Sequence, residues 1–214
     1  MTETVERPTA QQARVSRRMV DKFAARRNEL AGAALQTLAE LGYARTSLRE
    51  IAQSSEFSHG VLHYYFRDKV ELITHCVRQY KAGCVTRYDE LLATAGSAES
   101  LAAALGAAMA ATMREDGPMH RLWYDLRNQS LFEDWFRADA REIDASLEAM
   151  IWRIVSRYAE LAGAPLVVDS ATAYALFDGL FQQALQQHLT GGGPAADALA
   201  ANVALVLGRL VGCC

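Results

Sequence analysis

The chain has 214 residues, 51% of them hydrophobic, with 22 Lys/Arg, 25 Asp/Glu and a formal net charge of −3. That length buries a core in one large domain, or in a small domain joined to a larger one, and no apolar run approaches the ~18 residues that cross a bilayer. The net charge alone argues against a nucleic-acid partner unless the contact is confined to one part of the chain. The polar start has no apolar h-region, and a cytoplasmic protein is expected. Four prolines, few runs of Val, Ile and Thr, and an alanine-rich second half predict an all-α fold.

Residues 1–22 are polar and include Arg7, Arg14, Arg17, Arg18 and Lys22. They read as a flexible basic arm, either free in solvent or reaching phosphates. The first helix is predicted from Phe23 to Leu41, where Leu30, Ala34, Leu38 and Leu41 form one apolar stripe and Gly42 supplies the stop. Thr46 or Ser47 caps a second helix, with Glu50 three residues after Ser47 and Leu48, Ile51 and Ala52 facing inward. Ser58 caps a third helix that buries Leu62 and Phe66.

A long fourth helix starts after Asp68 and carries Val70, Ile73, Val77, Tyr80, Cys84 and Leu91 to about Ala93. Helices five and six are expected over 98–114 and 119–130, separated by Gly117-Pro118. The seventh spans 132–162 with Ile143, Leu147, Met150, Ile154, Tyr158 and Leu161 in register. The eighth spans 169–189 and the ninth 195–211, divided by Gly191-Gly192-Gly193-Pro194. The expectation is a nine-helix, two-domain architecture: residues 23–69 as a small head and 70–214 as the body.

Cys76, Cys84, Cys213 and Cys214 form no CxxC pair, so no zinc site is read from them. A thiol switch stays as an alternative, because sensor thiols need an accessible, electropositive setting. Cys84 lies on an apolar stripe, which suits a packed core thiol.

Thr46-Ser47-Leu48-Arg49-Glu50-Ile51-Ala52, then Ser58 through Phe66, then Lys69, carry a resemblance. Two short helices with an exposed aromatic and basic second member describe a helix-turn-helix. Over about residues 26–72 the chain resembles the TetR family of transcriptional regulators; beyond them only helix number and lengths match. The charge distribution agrees: residues 1–69 hold 11 Lys/Arg against 8 Asp/Glu, and residues 70–214 hold 11 against 17.

The resemblance implies a regulator that is not an enzyme: a homodimeric repressor released from a palindromic double-stranded DNA operator by a small-molecule effector. No cofactor, metal or membrane partner is expected. It places Thr46, Ser47, Tyr65 and Lys69 at phosphates, and Ser58, His59, Gly60, His63 and Tyr64 at base edges. Two positions depart from the family. Glu56 stands where a turn glycine is usual, at about 1 kcal/mol if it takes positive φ. His63 replaces an aromatic and is expected to alter the operator read. His59 and His63 share a helix face, but without an accompanying acid or cysteine a metal role is disfavoured.

The body holds all three tryptophans. Met109, Met113, Trp123, Tyr124, Asn128, Trp135, Trp152, Tyr174, Phe177 and Gln183 are the candidate lining of an effector cavity, each also compatible with an ordinary core position. Phe181 and Leu185, with Leu199, Val203, Val206 and Leu210, form stripes on the last two helices. They are the candidate dimer surface, or else cover their own core. An all-α enzyme is the competing class; GxSxG, a phosphate-binding glycine loop and a metal cluster are all missing from the sequence.

Overall fold

The computed structural model describes residues 10–191 and 193–212, with side chains described from residue 17. Among these residues the chain forms ten α-helical segments and one 3-10 turn: α1 Ala10–Leu41, α2 Leu48–Gln53, α3 His59–Tyr65, α4 Lys69–Thr86, α5 Asp89–Thr94, α6 Ala98–Glu115, α7 Gly117–Gln129, the turn Asp134–Phe136, α8 Arg137–Ala162, α9 Ser170–Leu189 and α10 Ala195–Arg209. No strand is present among them; a lone antiparallel bridge ties Leu166 to Val211. The all-α expectation holds, and α4 with α5 fill the span of the single fourth helix, so the nine expected helices are all found. No described helix is long and apolar enough to cross a membrane.

The break between α4 and α5 has a visible cause. In a continuous helix the Val85 carbonyl would accept from the amide of residue 89. Instead the Arg153 guanidinium donates to the Val85 carbonyl at 2.8 Å and to the Asp89 carboxylate at 3.0 Å. A side chain inserted into the ladder ends it there, and Tyr88 turns inward to 6% exposure.

Two boundaries differ from the sequence reading. The first helix begins at Ala10 rather than Phe23, so residues 10–22 of the expected arm are helical; residues 1–9 lie outside the described part. Residues 17–25 are exposed, so no core packing marks this extension, and its apolar residues Met19 and Val20 stay in solvent. The seventh helix was expected from Phe132 but α8 starts at Arg137, because the 3-10 turn rotates Phe136 into the core at 0% exposure while Phe132 stays 85% exposed.

The head is α1 to α3 packed on the start of α4. Leu30, Ala34, Leu38, Ile51, Leu62, Phe66, Leu72 and Ile73 are all fully buried, so four helices share one small core. Side-chain caps set the starts: Ser47 accepts from the Glu50 amide at 3.2 Å, Ser58 from Val61 at 3.3 Å and Asp68 from Glu71 at 2.8 Å. Gly42 ends α1 at φ +76, and no described non-glycine residue has positive φ, so Glu56 carries no such strain in its turn.

In the body α10 crosses α6 at close range. A Cβ on Gly106 would sit 2.6 Å from the Ala200 carbonyl oxygen, so only glycine permits this approach. Phe181, Leu185, Leu199, Val203 and Leu210 are buried in the chain's own core, and Val206 packs against it. These six were the candidate dimer stripe; they close this chain's core, because α10 rests on both α6 and α9.

Candidate functional site

Two sites emerge, one on the head and one inside the body. On the head, α3 turns Leu62 and Phe66 inward and leaves Ser58, His59, Gly60, His63 and Tyr64 exposed on its outer side. Tyr64 is 73% exposed. Its ring meets Tyr65 edge-on at 4.9 Å, and Tyr65 rests on Phe23 of α1 at 4.8 Å. The His59 and His63 rings meet at 4.4 Å between centroids, also edge-on. This row presents imidazole and phenol groups on a rigid helix, the geometry with which side chains reach base edges. Ser47 is exposed at the start of α2.

Thr46 departs from its expected phosphate role. It is buried, and its hydroxyl donates to the Gly42 carbonyl at 2.7 Å, so it secures the turn between α1 and α2. Lys69 is half-buried: its ammonium donates to the Tyr43 carbonyl at 3.1 Å and lies 4.2 Å over the Tyr43 ring. With three N–H donors, a lysine held this way still has hydrogens for a phosphate.

Trp135, a candidate cavity residue, belongs to this joint instead. It stacks on Tyr43 at 5.2 Å and 23°, so Lys69, Tyr43 and Trp135 form one cation–aromatic pile between head and body. A second tie is Arg121 of α7, whose guanidinium donates to the carbonyls of Ala39 at 2.6 Å and Glu40 at 3.1 Å. Those carbonyls end α1, where helix acceptors lack intrahelical partners.

The body forms a partly open cavity between α4, α6, α7, α8 and α9, with a volume of about 70 Å³. Five of the ten expected lining residues are there: Met109, Trp123, Tyr124, Tyr174 and Phe177. Met113 is buried away from it, Asn128 and Gln183 are exposed, and Trp152 packs half-buried on the core. Phe181, expected at a dimer face, lines the cavity as well.

Sequence reasoning missed the cavity's polar groups. Lys81 is 3% exposed and contributes to the wall with His120, Arg87, Thr112 and Asp178. A signal existed: Lys81 stands four residues after Val77 and three before Cys84, which puts a lysine on the apolar stripe of α4. Burial pulls its pKa down to about 8. Its ammonium donates to His120 Nδ1 at 3.3 Å, which leaves the Nε2 hydrogen to face the Tyr80 hydroxyl at 3.1 Å. Burial, then the positive charges of Lys81 and Arg87, drive the His120 pKa far down, so this imidazole is neutral.

The other polar groups are already paired. Arg127 bridges the Asp178 carboxylate at 2.6 Å and the Asp144 carboxylate at 3.1 Å. The Tyr124 hydroxyl donates to Asp178 at 2.9 Å and the Tyr174 hydroxyl to Asp144 at 2.6 Å. Burial first, and then the Asp178 charge, raise both tyrosine pKa values. Arg87 pairs with Asp116 at 2.7 Å and donates to the Thr112 hydroxyl at 3.1 Å.

Cys84 is buried on the cavity wall, and Cys76 is buried with its thiol donating to the Ala31 carbonyl at 3.3 Å. Burial raises the Cys76 pKa, the opposite of what a reactive thiol needs. Cys213 and Cys214 lie outside the described residues.

Residues 30–76 match the family described as bacterial regulatory proteins, tetR family. The HTH-type transcriptional repressor KstR2 of Mycolicibacterium smegmatis is 32% identical over 74 residues, which are 35% of this chain; the match spans about a third of that repressor, 36% of its length. Among solved structures, a TetR transcription regulator from Haloarcula marismortui superposes with a TM-score of 0.72 at 15% identity, covering 89% of this chain and all of that one. The regulator FadR from Bacillus subtilis, solved with stearoyl-CoA, gives 0.67 at 16% identity over 83% of this chain and 95% of its own. The structural matches share the fold, and residues 30–76 are similar in sequence to the tetR family of bacterial regulatory proteins.

Proposed function

We propose that the protein is a homodimeric transcriptional repressor that holds a palindromic operator through α3 and releases it when a small molecule fills the body cavity. The exposed row Ser58, His59, Gly60, His63 and Tyr64 carries the DNA half of this reading. Four polar or aromatic side chains left in solvent, with Gly60 between them, on a capped helix within the segment that matches the family, suit the reading of a major groove. Ser47, Tyr65 and Lys69 flank the row as phosphate contacts. The similar repressor KstR2 and the stearoyl-CoA bound to FadR support the repressor and effector halves.

Two heads on one palindrome require a dimer. With the candidate stripe buried in the core, the second copy falls to the opposite faces of α9 and α10, where Leu176 is 41% and Leu205 57% exposed. Two such helices from each copy make a four-helix bundle.

The test is selection of duplexes from a random DNA pool by the full-length protein. Enrichment of an inverted repeat supports the reading. Failure to enrich any sequence, with binding unaffected by changing His59, His63 and Tyr64 together to alanine, overturns it.

A further inference from the structure

Among the described residues, one cation on the cavity wall has no ion-pair partner. Lys81 is 3% exposed, and among the described residues its only hydrogen-bond partner is the neutral His120. Among the described residues no carboxylate lies within ion-pairing distance of it, whereas Arg87 has one and Arg127 has two. The aromatic faces of Trp123 at 5.1 Å and Tyr80 at 5.6 Å give the ammonium partial compensation. A buried charge without a partner is destabilising, so a chain that keeps it invites a ligand that supplies the missing anion.

We propose that Lys81 anchors the anionic head of an otherwise apolar effector, a carboxylate being the simplest such head. The rest of the wall fits that class. Met109, Trp123, Leu147, Met150, Ile151 and Phe177 surround the same space with apolar and aromatic surface. A cationic effector fits poorly. The one acid on the wall, Asp178, is already occupied by Arg127 and Tyr124, and Lys81 would repel a second positive charge. This inference rests on the cavity being the effector site.

The test is calorimetric titration of the full-length protein with two matched pairs, 2-naphthoate against 2-naphthamide and decanoate against decan-1-ol. Each acid is expected to bind at least about tenfold tighter than its neutral partner, as a hydrogen bond to a buried charge requires. Lys81→Met should abolish that preference while the neutral probes bind as before. Lys81→Arg should keep it. Equal affinity for acid and neutral partner in the native protein overturns the anion assignment and leaves the cavity as an effector site. A preference that survives in the methionine variant overturns Lys81 as the anchor. Binding of none of the four probes overturns both the inference and the effector role of the cavity. Thermal unfolding of each variant confirms that it is folded.

Discussion

His120 and Arg121 are neighbours in sequence on α7 and face two different sites: His120 accepts from Lys81 inside the cavity at 3.3 Å, and Arg121 donates to the Ala39 carbonyl at the end of α1 at 2.6 Å. A rotation of α7 that follows a ligand at Lys81 therefore acts on the helix that supports the DNA-reading head. α4 provides a parallel route, since Lys69 joins the head pile and Lys81 lies on the cavity wall of the same helix. Coupling of this kind needs an element that both sites bias, and α7 is the helix whose adjacent residues touch both.

Arg121→Met should uncouple the two sites. The α1 carbonyls then lose their donor and turn to water, a small stability change of about 1 kcal/mol at a surface position. DNA affinities measured with and without a bound effector should converge, with the ratio between them falling several-fold from a coupling typically ~5–150-fold. An unchanged ratio would remove Arg121 from the pathway.

Lys81→Met should stabilise the empty protein at neutral pH. Lys81 titrates at about 8 in the fold against 10.5 for a free lysine, so the unfolded chain holds this proton more tightly. The full cost is present below pH 8 and fades as pH rises to 10.5. At about 1.4 kcal/mol per unit the buried ammonium costs on the order of 3 kcal/mol. Leaving His120 Nδ1 without its donor takes back about 1 kcal/mol or more, so a net gain of about 1–2 kcal/mol is expected at pH 7. Denaturant midpoints for both proteins at pH 7 and pH 10 check it: the difference should shrink at the higher pH.

On the head, His63→Ala should change which operator bases are preferred, because that imidazole stands in the exposed row. Lys69→Met should weaken binding to all duplexes alike and lower the slope of log affinity against log salt by about one. Anisotropy titrations at several salt concentrations separate the two. A sequence-specific loss for Lys69→Met, or a uniform one for His63→Ala, would reverse the assignments.

For the dimer, Leu205→Arg should yield monomers in sedimentation at micromolar concentration and abolish cooperative operator binding. Leu205 is 57% exposed, so an arginine there meets solvent in the single chain without disturbing its core. A variant that still sediments as a dimer would place the interface elsewhere.

The head was largely legible because its signals are local. Ser47, Ser58 and Asp68 cap their helices as their residue types predict, and Gly42 stops α1 with positive φ. Boundaries set by tertiary contact were not legible: Arg153, far along the chain, ends α4, and the burial of Phe136 delays α8. In the body, aromatic residues pointed to a cavity in general but could not separate Trp123 on its wall from Trp135 at the joint, since both suit an apolar setting. The stripes of α9 and α10 showed which faces are apolar, though not that their own core claims those faces. Lys81 was visible as a lysine on an apolar stripe; its meaning needed the surrounding wall.

The most direct measurement is displacement of the full-length protein from its selected inverted-repeat duplex by decanoate, followed by anisotropy in the native protein and in Lys81→Met. The account predicts release from the native protein at decanoate concentrations that leave the Lys81→Met complex intact. Equal release from both proteins, or none from either while calorimetry shows decanoate bound, would contradict it.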